Sequence, residues 1–359
     1  MTITTSTEQG EAPTAGSRAV SVLAAIGRRL LTDRVLLLAV LIVALILTAT
    51  VLDASAALVA PFTLSYLSVS LISFVPLALL ALAQTIVILS GKSGIDLSVG
   101  GVVSLGGMIF GYLVVGLELS VPLASVITLV ATTLMGAANG YLVGYLGFPP
   151  LIATLATGYA FGSIAMVSHD GAPFSGPALT ELNSMTHGLG DGVLAIPLHV
   201  LTVLLPVAIL AWFALNRTRW GRSLFAIGTN DNAARYSAID TRLTRTSAYA
   251  ASGLLAGLTA IVNVAQFASA RPDAGIAGNG MALPAITIAV LGGAAIAGGI
   301  GRIGGTVLAA LFVVWLNAVI LISFQGSMGP RIQLLALGLV LVGAVLLNTF
   351  ASRRYGLRQ

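Results

Sequence analysis

Cysteine is absent from the 359 residues, and charged residues make up only 8% of them. Without thiols there is no disulfide, no thiolate nucleophile and no Cys-bound zinc, although the absence identifies no compartment. So little charge beside 57% hydrophobic residues leaves too little polar surface to coat a soluble globule of this length. A bilayer is the solvent that suits such a chain. His169, His187 and His199 lack ligand spacing, and neither H-E-x-x-H nor G-x-S-x-G occurs, so no catalytic or metal-binding constellation is present and the histidines read as loop residues. Every acidic residue falls in a tail or a connection. That scarcity argues against a carrier coupled to protons or cations through carboxylates inside its bundle.

What is present is a series of apolar windows. A helix crossing about 30 Å of hydrocarbon needs about 20 residues, and ten such windows fit, near 35–52, 70–90, 97–116, 121–146, 149–167, 196–215, 247–268, 284–300, 305–324 and 331–349. The third and eighth are rich in Gly, which favours close packing or broken helices as readily as a plain span. Residues 1–34 lack apolar periodicity and read as a disordered tail. Ala54-Ser-Ala56 imitates a signal-peptidase site, but the tail is long and the run Leu36–Leu52 exceeds the usual core, so an uncleaved first helix is expected. Ten spans put both termini on one side. With that side cytoplasmic, all but Arg271 and Arg331 of the 17 Lys and Arg residues lie inside, the expected bias of a polytopic protein. This distribution accounts for the formal charge of +5 without nucleic acid.

Residues 35–349 thus read as one all-α transmembrane domain, followed by a cytoplasmic tail over 350–359. Two loops are long enough to carry function: an external one over 168–195, composed as a short structured cap, and an internal one over 216–246 with six Arg against Asp231 and Asp240. Neither has room for a nucleotide fold, so any work driven by ATP requires another chain. Two apparent nucleotide motifs fail on context. Gly91-Lys92-Ser93 ends a membrane helix with Ile86 five residues before the Gly, and Gly299-Ile-Gly301-Arg-Ile-Gly304 has no acidic residue after it to hold a ribose. A short echo links Thr85-Ile-Val-Ile-Leu-Ser-Gly91 with Thr287-Ile-Ala-Val-Leu-Gly-Gly293.

The most informative run is Gly94-Ile-Asp-Leu-Ser-Val-Gly100, a carboxylate in a short polar gap between two apolar segments. A charge so placed needs water or a partner. Asp96 has three readings: a cap on a helix starting near Leu97, a pair with Lys92, or part of a gate that also includes Gly94, Ser98 and Gly100. Inside the spans the polar residues are neutral, among them Gln84, Thr85, Asn139, Asn263, Gln266 and Asn317. Such groups either line a path for a hydroxylated solute or link helices. In the inner loop, Thr229 or Asn230 starts a short helix outside the membrane, within Ala226–Ile239. It either rests on lipid headgroups or meets a partner.

Taken together, the 94–100 run, the segment GTNDNAARYSAI and the run LGGAAIAGGIGRIGGT resemble, in order and spacing, the permease subunits of ribose/xylose-type ABC importers, from about Ser68 to Asn348. The resemblance implies a non-enzymatic, multi-pass protein of the bacterial inner membrane that pairs with a second copy around a central path. It implies a cytoplasmic ATPase subunit that binds the ATP, so that this chain needs no cofactor, and an external binding protein that delivers a sugar or polyol. Coupling to the ATPase falls on Gly228, Asn230, Ala233, Ala234, Arg235, Ser237 and Ile239. Two departures stand out: Ala238 replaces a Gly usual in the family, and Met281-Ala-Leu-Pro284 replaces a common acidic pair, which weakens transfer of any particular sugar. The rival reading is a stand-alone carrier or channel for a small neutral polar solute.

Overall fold

The computed structural model describes residues 33–184, 186, 188–189, 196–277 and 280–355. The tail expected over 1–34 and the last four residues fall almost wholly outside that set. Asp33 accepts the Val35 and Leu36 amides and so starts α1, Arg34–Ala54, within the first apolar window. A short helix, α2 at Leu64–Ser70, meets α3 at Phe74–Leu89 with a 49° bend; the window expected near 70–90 covers α3, and α2 precedes it. α3 is the axis of the molecule. All its residues but Leu77 are buried, and its Leu79, Leu82 and Ile86 form one core with Ile288, Val313 and Leu224.

After α3 the chain turns at Gly91 and re-enters without helix until α4, Val99–Gly111, which a π turn extends to Gly116. α5, Val121–Gly144, and α6, Pro150–Val167, each start with a Pro in the first turn, where its missing amide costs nothing. In the loop between α6 and α8, the strand β1 (Phe174–Ser175) precedes α7 (Pro177–Ser184), and β2 (Gly188–Leu189) pairs with β3 (Ile196–Pro197). The Val200–Leu204 π turn opens α8, which ends at Arg217. Inside follow α9 (Arg219–Thr229) and α10 (Asp231–Tyr236). α11 spans Thr241–Phe267, started by Asp240, whose carboxylate takes the Arg242 and Leu243 amides. It begins six residues before the expected window, so the inner loop is mostly helix.

β4, Ser269–Ala270, pairs antiparallel with β1, and then α12, Ala282–Leu291, α13, Ile303–Ser323, and α14, Met328–Tyr355, complete the fold. The eighth window is corrected here. α12 has 10 residues, about 15 Å of rise against about 30 Å of hydrocarbon, and cannot span alone. Among the described residues, eight helices are long and apolar enough to cross a membrane, nine if the bent pair counts as one. α14 continues to Tyr355, so the first half of the expected C-terminal tail is helical.

Candidate functional site

The gap between α3 and α4 is where separate helices converge. Asp96 is buried, and its carboxylate accepts the Ser98 amide at 3.0 Å, the Ser98 hydroxyl and the Ser252 hydroxyl of α11 at 2.8 Å. The Gln84 side chain of α3 pairs with the Asp96 backbone on both sides, accepting its amide and donating to its carbonyl. Asn139 of α5 donates to Ser98 Oγ at 2.7 Å and accepts from Thr157 of α6 at 2.6 Å, while Thr154 accepts the Leu97 amide at 3.0 Å. Four helices therefore hold one non-helical turn. This arrangement revises two readings of Asp96. α4 starts at Val99 behind Ser98, so the carboxylate closes a turn ahead of the helix rather than capping it. Lys92 pairs elsewhere.

Of the polar residues proposed for a path, Gln84 and Asn139 are buried and engaged at this turn. The others lie apart. Asn263 faces Met281 Sδ at 4.0 Å; Gln266 binds the Ile72 carbonyl at 2.7 Å and His199 at 3.0 Å; Asn317 lines a cavity of about 440 Å³ with Tyr66, Ser70 and Gln333. A different surface adjoins the turn. A groove of about 330 Å³ runs past Leu97, Gly100, Gly158, Tyr159, Gly275 and Ile276, with no charged residue in its lining. Gly100 and Gly275 stack backbone to backbone, since a Cβ on either would strike the other's carbonyl. The second irregular stretch, 271–277, thus packs against the head of α4, where Ser104 takes the Gly275 amide at 3.0 Å.

On the inner side, Thr218 starts α9 by accepting the Gly221 amide, and Asn230 starts α10 by accepting the Ala233 amide at 3.0 Å. Gly228 is wedged between the Leu89 carbonyl and Gly299, and the Gly299 amide bonds that carbonyl at 3.1 Å, so the ends of α3, α9 and the α12–α13 turn meet. Asp231 receives Arg245 at 2.9 Å, Arg235 at 3.1 Å and Lys92 at 3.4 Å. Burial pushes its carboxyl up, but the Arg245 hydrogen bond and the charges of Arg245, Lys92 and Arg235 outweigh this, and the net direction is down. Ala234 is buried against its own chain, which corrects its expected place on a partner-facing surface. Ala233, Ser237 and half of Arg235 are exposed, Ile239 is half-buried, and Tyr236 is 93% exposed.

Sequence reasoning missed Ser252, Arg245 and Tyr249. All three are buried on one face of α11 at i, i+4 and i+7, a polar stripe that a helical reading of 241–267 would have exposed. Among the described residues no group of three or more acidic or His side chains is placed to hold a metal.

A family model described as branched-chain amino acid transport system, permease component, matches residues 66–349. The autoinducer 2 import system permease protein LsrD of Photorhabdus laumondii is 35% identical over 264 residues, covering 71% of this chain and 75% of that protein. The ribose import permease protein RbsC of Escherichia coli K12 is 37% identical over 241 residues, covering 67% and 73%. No solved structure matches the chain.

Proposed function

The chain belongs to the branched-chain amino acid transport system permease component family, as a multi-pass inner-membrane permease subunit of a bacterial ABC importer, and from this premise we propose its cargo and partners. The cargo is a sugar or related polyol delivered by an external binding protein. Relatives named for the import of ribose and of autoinducer 2 support a small oxygen-rich solute, and the uncharged groove beside Gly100 and Gly275 supports a neutral one. A second permease copy closes that groove into a path, as fits a face carrying Tyr159 at 71% and Val167 at 75% exposure.

The observation that carries ATP coupling is the inner platform. α9 packs Leu224 into the core of α3 and wedges Gly228 against the end of that helix, while α10 leaves Ala233, Tyr236 and Ser237 exposed, so a push from a cytoplasmic ATPase reaches the core helix directly. ATP is bound by that partner, and this chain catalyses nothing itself. The test is uptake of radiolabelled ribose into vesicles holding the permease, its cognate ATPase and its binding protein. Uptake that needs all three and ATP supports the reading; uptake by the permease alone would make it a stand-alone carrier.

A further inference from the structure

We propose that Asp231 is a positioning residue that pins the partner-facing helix α10 to the re-entrant turn bearing Asp96, and that ATP-driven motion enters the membrane through it. The proposal rests on the ATP-coupled reading above. Asp231 is the first residue of α10, and its three cations belong to different parts of the chain. Arg235 lies on α10 itself. Lys92 opens the re-entrant turn and, like Ser93, holds a left-handed backbone, with φ of 55° and 54°, a conformation that persists at such residues only when its surroundings enforce it. Arg245 is on α11, 1% exposed, and also donates to the Ser90 carbonyl at the end of α3 at 3.2 Å. One carboxylate therefore ties α10 to the end of α3, to the first residue of the turn, and to the helix that presents Ser252 to Asp96.

The bland alternative is an acidic residue favouring a helix N-terminus. It accounts for neither a buried Arg reaching across from α11 nor the bridge to Lys92. A second observation marks the route onward. The Arg245 Nε and, one turn along α11, the Tyr249 hydroxyl are buried without a hydrogen-bond partner, and they lie between the Asp231 cluster and Ser252. Buried polar groups are rarely left so. Their unmet bonds fit a segment that exchanges partners when the other transport state forms.

The test uses the assembled permease, ATPase and binding protein in vesicles. The chain has no cysteine, so Leu97→Cys in the groove is the single thiol, and its labelling is followed with and without ATP. Asp231→Asn is expected to keep the ATPase bound and hydrolysing, to lower ribose uptake about tenfold, and to make Leu97→Cys labelling insensitive to ATP, a coupling of ordinary size. Asp231→Glu should restore most of both. Lys92→Glu, at a half-exposed site that does not threaten folding, should uncouple in the same way and decides the matter if Asp231→Asn fails to insert. Normal uptake with ATP-sensitive labelling in Lys92→Glu would overturn the link. So would loss of ATPase binding in Asp231→Asn, which would place the residue in the docking surface alone. If the complex carrying Leu97→Cys alone shows no ATP-dependent change in labelling, the ATP-coupled reading itself fails, whatever the mutants do.

Discussion

Asp96 is satisfied by hydroxyl and amide donors, and among the described residues no Lys or Arg pairs with it. Its role is therefore that of a hydrogen-bond acceptor at a turn. An Asn there keeps one carbonyl oxygen for Ser98 and offers an amide to Ser252, whose hydroxyl accepts as well as donates. Asp96→Asn is expected to insert and to transport within about threefold of the unmodified protein, since the shape and most bonds survive. Asp96→Ala strands three buried donors and should lose about 2–4 kcal/mol, read as a lower unfolding midpoint in detergent and a fall in uptake. Equal damage from both would mean the negative charge itself matters. Asp231 obeys a different rule because its carboxyl is held down by Arg245, Lys92 and Arg235. A depressed native pKa means the cluster's contribution is complete above the unfolded value of 3.8 and is lost as pH falls below it. Thermal stability should accordingly be flat from about pH 5 to pH 8 on this account, and Asp231→Asn should blunt its fall in stronger acid. An unchanged acid limb in that mutant would remove Asp231 from the explanation.

Elements were legible where apolar length decides and illegible where the backbone leaves the helix. The windows for α1, α5, α6, α8 and α13 needed only hydropathy. The bend at 71–73 carries no such mark, and the glycines of the eighth window signal a break without giving α12 its length, because a run of apolar residues looks the same whether it is helix or irregular chain held by neighbours. The same ambiguity surrounds the residues expected to line a path: Gln84 and Asn139 are neutral polar residues inside spans, and sequence alone does not reveal that the first bonds Asp96 and the second Ser98. Helix crossings were similarly hidden. α5 and α11 touch backbone to backbone at Gly136 and Gly253, where a Cβ on Gly253 would strike the Thr132 carbonyl, a small-residue contact of the kind membrane helices favour. Gly253→Ala is expected to cost about 1–3 kcal/mol, and Gly253→Leu to prevent assembly. Gly338→Ala in α14, with nothing within 4 Å of the added carbon, should stay within about 1 kcal/mol. A tolerated Gly253→Leu, judged by yield and by gel filtration in detergent, would show that the two helices do not cross this closely.

At the scale of the molecule, buried α3, α4, α11, α12 and α13 form a centre that α1, α5, α6, α8 and α14 surround with exposed Leu, Val and Phe side chains. The short α12 raises a question of parity, since losing one crossing would place the termini on opposite sides. Ala270 pairs with Phe174, in the loop expected outside, and Gly299 bonds Leu89 and packs on Gly228, at the turn expected inside. The ten-pass reading then requires the chain to cross between these two points, with the 10 residues of α12 covering only part of the distance. Because the native chain has no cysteine, one introduced thiol at a time reports sidedness cleanly. Asn232→Cys and thiols at Gly10 and Gln359 are expected to resist an impermeant reagent in intact cells and to react after permeabilisation, while Gly176→Cys reacts from outside. Both chain ends lie beyond the described residues, so they test parity independently of the geometry that implies it. Labelling of one terminus but not the other in intact cells would mean that 271–299 turns back instead of crossing.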